Sequence, residues 1–184
     1  LTGKMSGWTS SKDIILKVLE IFSTKGNVGC IFEYGGNALE HLTVPERATI
    51  TNMGAECGVT TSIFPSDDMT RKFLEAQGRA GDWTPFAADD DAVYDKTVTI
   101  HLNDLVPRTA KPHSPDQIAT VREMGNIPVD QVCLGSCTNS SYKDLVTVAK
   151  ILKGKVVHPR VSFIIAPGSR QVLENLSRDG YLTD

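Results

Sequence analysis

No Cys-x-x-Cys pair occurs in these 184 residues, and cysteine itself is sparse: Cys30, Cys57, Cys133 and Cys137, the closest two being four apart. That spacing excludes a zinc ribbon or a disulfide framework. The low count favours a reducing, cytosol-type compartment. No apolar run approaches the roughly 18 residues of a membrane-spanning helix. The opening Leu1-Thr2-Gly3-Lys4 has no signal-peptide core. Charge of one sign is not in excess either: the net charge is −3 and the basic residues are scattered, which counts against a nucleic-acid or membrane surface. There is no Gly-x-Gly-x-x-Gly, no phosphate loop and no Gly-x-Ser-x-Gly elbow. The four histidines (His41, His101, His113, His158) stand far apart, without a partner at ligand spacing, and read as surface or structural.

What remains is the pattern of an ordinary globular α/β protein, 40% hydrophobic and 22% charged. Ile14, Ile15, Val18, Leu19 and Phe22 recur at helical spacing behind a run of hydroxyls and Asp13, which predicts an amphipathic helix over 11–24. Val28–Tyr34 and Thr60–Phe64 read as short strands covered on both faces. Between them Pro45 opens a helix over 45–58, and Pro65-Ser66-Asp67-Asp68 opens a third, ending near Gly78. Val98, Ile100 and Leu102 alternate, so 94–102 reads as a strand with one wet face. Val106–Asp116 carries Pro107, Pro112 and Pro115 and serves as a linker. Beyond it come a short helix near 117–123, a strand ending at Cys137, a helix near 140–153, a strand at 161–166 and a helix near 170–177. Strand and helix alternate on both sides of the linker, which argues for an α/β fold with mainly parallel pairing. Both ends read as cuts within a longer chain.

Chemistry concentrates at a few places. Leu134-Gly135-Ser136-Cys137-Thr138-Asn139-Ser140 sets Cys137 where a strand hands over to a helix, whose free N–H groups and partial positive charge favour a thiolate. A lone cysteine is more often a small buried hydrophobe than a ligand. Asn52 and Glu56, four apart on one helix, share a face. With Gly54 and Gly58 beside them, that face either lines a site approached closely by another segment or is a solvated polar surface. Gly168-Ser169 is either an anion seat or a plain strand–helix turn.

Three stretches together resemble the aconitase family. Asn52-Met53-Gly54-Ala55-Glu56, continued to Pro65, is similar to that family's Asn-Met-Gly-Ala-Glu segment. Leu134–Tyr142, with Gly-Ser-Cys-Thr-Asn-Ser, is similar to its first cluster-cysteine segment, and 1–34 is similar to the stretch that precedes both. The resemblance runs in order along nearly the whole chain.

It implies three-layer α/β/α domains around a cleft. Residues 1–112 would be the complete second domain, 113–126 a linker and 127–184 the first part of the third. It also implies a hydro-lyase of the tricarboxylic acid cycle, interconverting citrate and isocitrate through cis-aconitate with a [4Fe–4S] cluster held by three cysteines. Cys137 matches the first cluster ligand, Asn52 a site residue beside the cluster, and Glu56 the site carboxylate near the reacting hydroxyl. Cys30, Cys57 and Cys133 match no ligand position, and Cys133 reads as a core residue of the strand that ends at Cys137. The partners implied are a small tricarboxylate and the rest of the same polypeptide, in the cytoplasm or a mitochondrial matrix. The chain by itself is expected to bind no cluster and to be inactive. Gly-Ala-Glu-Cys-Gly-Val-Thr-Thr-Ser-Ile-Phe-Pro looks more like aconitase proper than the large subunit of isopropylmalate dehydratase. Homoaconitase and a non-catalytic, RNA-binding relative are the other readings, the last weakened by the missing basic stripe.

Overall fold

A computed structural model describes residues 1–182. The chain divides into two compact units, Leu1–Gly125 and Asn126–Asp184. In the first, helix α1 (Ser11–Phe22) is the centre of the core. Its Ile14, Ile15 and Leu19 are wholly buried, together with Leu42, Ile50, Cys57 and Leu102. The helix starts where its sequence says it should: the Asp13 carboxylate accepts the Ser10 N–H at 2.7 Å, reaching back over the first turn.

A parallel pair follows, β1 (Ile31–Glu33) and β2 (Thr61–Ile63), with Phe32 opposite Ser62. The crossover between them is α2 (Val44–Asn52), which continues as a single 3-10 turn, Met53–Ala55. Helix α3 (Asp68–Ala76) is capped by Asp67, whose side chain accepts the N–H groups of Met69 and Thr70. The strands are shorter and barer than a doubly covered sheet requires. Ile31 is 63% exposed, because a two-stranded sheet leaves outer edges and faces uncovered.

Two expectations are corrected here. Residues 94–102 form no strand. Ile100 and Leu102 are buried, but they flank a single isolated bridge to Thr2, made through Thr2 N–H to the Ile100 carbonyl at 3.0 Å and Leu102 N–H to the Thr2 carbonyl at 2.8 Å. One residue is too short a partner for a ladder. Nor is 117–123 a helix. Ile118–Thr120 is strand β4, antiparallel to β3 (Arg108–Ala110), and Val121–Met124 is a 3-10 turn capped by Thr120.

The proline-rich stretch is thus tied into the first unit rather than slung between units. The Asp13 carboxylate accepts the Arg108 N–H at 2.7 Å, and the Arg108 guanidinium meets Glu20 at 2.9 Å. Asp116 accepts from the hydroxyls of Ser114 and Ser23, in that order of weight, which holds its carboxyl well below the usual range. The chain divides after Gly125.

The second unit is another parallel crossover: β5 (Gln131–Gly135), α4 (Tyr142–Leu152), β6 (Ser162–Ala166), then α5 (Arg170–Arg178). β5 and β6 pair over five residues, from Gln131 opposite Ser162 to Gly135 opposite Ala166. Two of the three sheets among the described residues are parallel, each joined by a helix, as α/β alternation requires. No helix among the described residues is long and apolar enough to cross a membrane.

Candidate functional site

Cys137 stands on the turn between β5 and α4 and is exposed. The turn is fixed from several sides. Gly135 leaves the strand at φ 138°, and a Cβ there would overlap the Ala166 carbonyl of the neighbouring strand, so only glycine fits. Ser136 follows at φ 68°, in the left-handed region that a residue with a Cβ enters at a cost. The Ser140 hydroxyl donates to the Ser136 carbonyl, and the Ser140 carbonyl accepts the Gly168 N–H at 3.2 Å. This last contact ties the turn to the one after β6. Cys137 Sγ lies 3.9 Å from Ser136 Oγ.

The handover is wider than a direct strand-to-helix elbow. Ser141 is the N-cap of α4, four residues past Cys137. Asp144 in the first helical turn accepts the Ser141 N–H at 3.2 Å, and its own N–H is donated to Ser141 Oγ at 3.3 Å. The first donors of the helix terminus are therefore met by its own cap and carboxylate. What recommends Cys137 is its exposure on a rigid turn. Gly168-Ser169 is likewise an ordinary turn: Gly168 N–H goes to Ser140 and Ser169 Oγ accepts the Val172 N–H at 3.2 Å.

The other cysteines separate cleanly. Cys57 is wholly buried, and burial, helped by the nearby Glu56 charge, pushes its thiol up to about 11. Such a thiol is inert. Cys133, expected in the core of its strand, is exposed instead, as is Cys30.

Asn52 and Glu56 lie in the first unit. α2 ends at Asn52, and the next hydrogen bonds run three residues back: Glu56 N–H to Met53 at 3.2 Å, Cys57 to Gly54 at 3.1 Å and Gly58 to Ala55 at 2.9 Å. At three residues per turn, positions four apart diverge by about 120° rather than sharing a face. The shared-face expectation is corrected accordingly. Asn52, with Thr51, Gly54, Thr60 and Ser62, lines an open depression of about 450 Å³, whereas Glu56 is exposed outside that lining.

One pair that the sequence did not single out positions this end of the molecule. The Arg47 guanidinium, 5% exposed, grips Asp67 through two contacts of 2.9 and 2.6 Å. It also donates to the carbonyls of Leu39, Leu42 and Pro65. It ties α2 to the chain leaving β2 and to the cap of α3. The only sequence signal was Asp67 itself, as a helix cap.

Among the described residues no three His, Cys, Asp or Glu side chains come together as a metal site. The exposed thiol of Cys137 on its locked turn fits one ligand position of an iron–sulfur cluster; buried Cys57 does not.

Two parallel βαβ crossovers, one entered through the cysteine-bearing turn after β5 and the other carrying the Asn-x-x-x-Glu turn between α2 and β2, describe an α/β protein of a definite kind. The model of the aconitase family (aconitate hydratase) matches residues 1–126 and 121–184, and the chain belongs to that family. It is 43% identical to the mitochondrial aconitate hydratase of Saccharomyces cerevisiae, over 99% of this chain and 26% of the relative. It is 41% identical to 3-isopropylmalate dehydratase large subunit 2 of Archaeoglobus fulgidus, over 94% of this chain and 41% of the relative. The 3-isopropylmalate dehydratase large subunit of Clostridium beijerinckii is 36% identical over 100% of this chain and 44% of the relative. The chain thus spans about a quarter of the aconitate hydratases it matches and about two-fifths of the dehydratase subunits.

Proposed function

We propose that this chain is part of an aconitate hydratase, a hydro-lyase that interconverts citrate and isocitrate through cis-aconitate. The observation that carries the proposal is Cys137, exposed on a turn whose backbone is fixed by Gly135, Ser140 and Gly168. Likeness to aconitate hydratases supports it. Leu1–Gly125 corresponds in this reading to the family's second domain with its linker, and the rest to the start of the third. The remaining polypeptide supplies the other cluster ligands and most of the substrate contacts. The compartment is a reducing one, cytoplasm or mitochondrial matrix.

In this reading Cys137 holds a [4Fe–4S] cluster. When bound, that cluster supplies a Lewis acid for the departing hydroxyl. Glu56, an exposed carboxylate, moves the proton at that hydroxyl, and Asn52 orients the group beside it through its carboxamide. Glu56→Gln in the full-length protein is expected to lower kcat by about 10² to 10⁴, with KM little changed. Steady-state kinetics check this; an unchanged kcat removes Glu56 from the proton transfer.

A second reading, isopropylmalate dehydratase, is favoured by the 41% identity to the A. fulgidus subunit. Assaying the full-length protein on citrate, isopropylmalate and homocitrate separates the readings. Turnover of citrate and isocitrate supports the first, and turnover of isopropylmalate alone overturns it. The 184-residue chain by itself is expected not to assemble a cluster on anaerobic reconstitution. Stoichiometric iron and sulfide with a cluster EPR signal would contradict that.

A further inference from the structure

Gly54 stands between the two residues assigned to chemistry, Asn52 and Glu56, in the 3-10 turn that presents both. Its backbone gives no reason for glycine: it has no positive φ, and alanine suits a helical turn better. The space around it does. A Cβ on Gly54 would overlap Ser62 Oγ on β2, whereas the next nearest atoms, Val59 Cγ2 at 3.4 Å and Ser62 Cβ at 3.5 Å, would be in ordinary contact. One atom, a serine hydroxyl oxygen, therefore stands where a side chain on Gly54 would go. That hydroxyl is buried and has no hydrogen-bond partner. A buried unpaired hydroxyl stabilises nothing by hydrogen bonding, so packing against Gly54 is what it contributes.

We propose that Gly54 and Ser62 form a positioning contact that sets how closely the Asn52–Glu56 turn lies on β2. The Ser62 backbone is held by its register opposite Phe32 on β1, so only rotation of its hydroxyl would clear the space. Gly54 meets it in the lining of the depression that Asn52 also borders. The turn is thereby pressed onto the sheet at its midpoint, two residues from each assigned side chain. The proposal rests on the reading of Asn52 and Glu56 given above for its catalytic consequence, but not for its structural one.

The test is a rescue in the full-length protein, comparing Gly54→Ala, Ser62→Ala and the double variant. Gly54→Ala is expected to lower kcat at least tenfold with a smaller change in KM, and to speed hydrogen exchange of the 52–58 amides. Ser62→Ala removes the atom that meets Gly54 but no hydrogen bond, and is expected to lower kcat about threefold and to speed exchange of the same amides. The double variant deletes the single overlapping atom, so kcat and exchange return to within about twofold of wild type. A double variant as slow and as fast-exchanging as Gly54→Ala overturns the proposal. So does a Ser62→Ala variant with wild-type kinetics and exchange, because the hydroxyl would then position nothing. If Gly54→Ala fails to fold, recovery or not of the double variant still decides. Exchange that follows the rescue pattern in a protein without hydratase activity upholds the contact and fails the functional reading instead.

Discussion

Arg47→Ala is expected to destabilise the first unit by about 3 kcal/mol, the lower end of what losing one partner of a buried ion pair costs. The lower end applies because Asp67 keeps a third of its side chain in water, while Arg47 does not. Truncation removes the two contacts to Asp67 and leaves the Leu39, Leu42 and Pro65 carbonyls without their donor. Denaturant unfolding of the full-length protein, followed by a probe in the first unit, measures the effect. The pair also makes a pH prediction. Burial raises the Asp67 carboxyl, but Arg47 and the N–H groups of Thr70 and Met69 outweigh it, and the net value is lowered. Its contribution is then complete above the unfolded carboxylate value of about 3.9 and is lost as pH falls below it. The stability gap between wild type and Asp67→Asn should be full at pH 7 and shrink below pH 4. A gap that stays constant would mean that the charge of Asp67 contributes nothing.

Arg47 and Asp67 show what one sequence does not disclose. They are 20 residues apart on different elements, and no local pattern announces the pair. The same holds for the turn after Asn52. Pro45 predicted a helix running to Gly58, but the chain tightens into a 3-10 turn at Met53–Ala55, where Gly54 lies against β2. A register read from α-helical spacing alone put Glu56 on the wrong face. By contrast, α1 was legible because its apolar period and Asp13 cap are local. The two βαβ crossovers were legible because strands and helices alternate with glycine and proline between them. The alternation of Val98, Ile100 and Leu102 recorded burial correctly but not pairing, since its partner is the single residue Thr2. Exposure was the least legible property. Cys133 and Ile31 are apolar positions in short strands, and whether such strands are covered depends on what else packs on them.

Cys137→Ser in the full-length protein is the second large effect. The motif around Cys137 could be read from sequence, but the distance to the helix could not: α4 begins four residues later with its own cap and carboxylate. What the structure supplies is a rigid platform. Gly135 cannot carry a side chain, Ser136 is held in the left-handed region, and Ser140 ties the turn to Gly168. Serine preserves that platform and changes only sulfur to oxygen, so the fold should survive. Losing an outer-shell partner of a metal ligand costs about 10- to 100-fold in affinity or activity, and losing the ligand itself should cost more. Hydratase activity is expected to fall to background while far-UV circular dichroism and the unfolding midpoint stay near wild type. Cys30→Ser changes an exposed thiol in the other unit and should leave activity intact.

The most direct measurement is iron and acid-labile sulfide per protein, with the EPR spectrum, after anaerobic reconstitution of full-length wild type, Cys30→Ser and Cys137→Ser side by side. The proposal predicts a complete cluster in the first two and none, or an unstable remnant, in the third. A Cys137→Ser protein that holds wild-type iron and sulfide with an unchanged spectrum would contradict it.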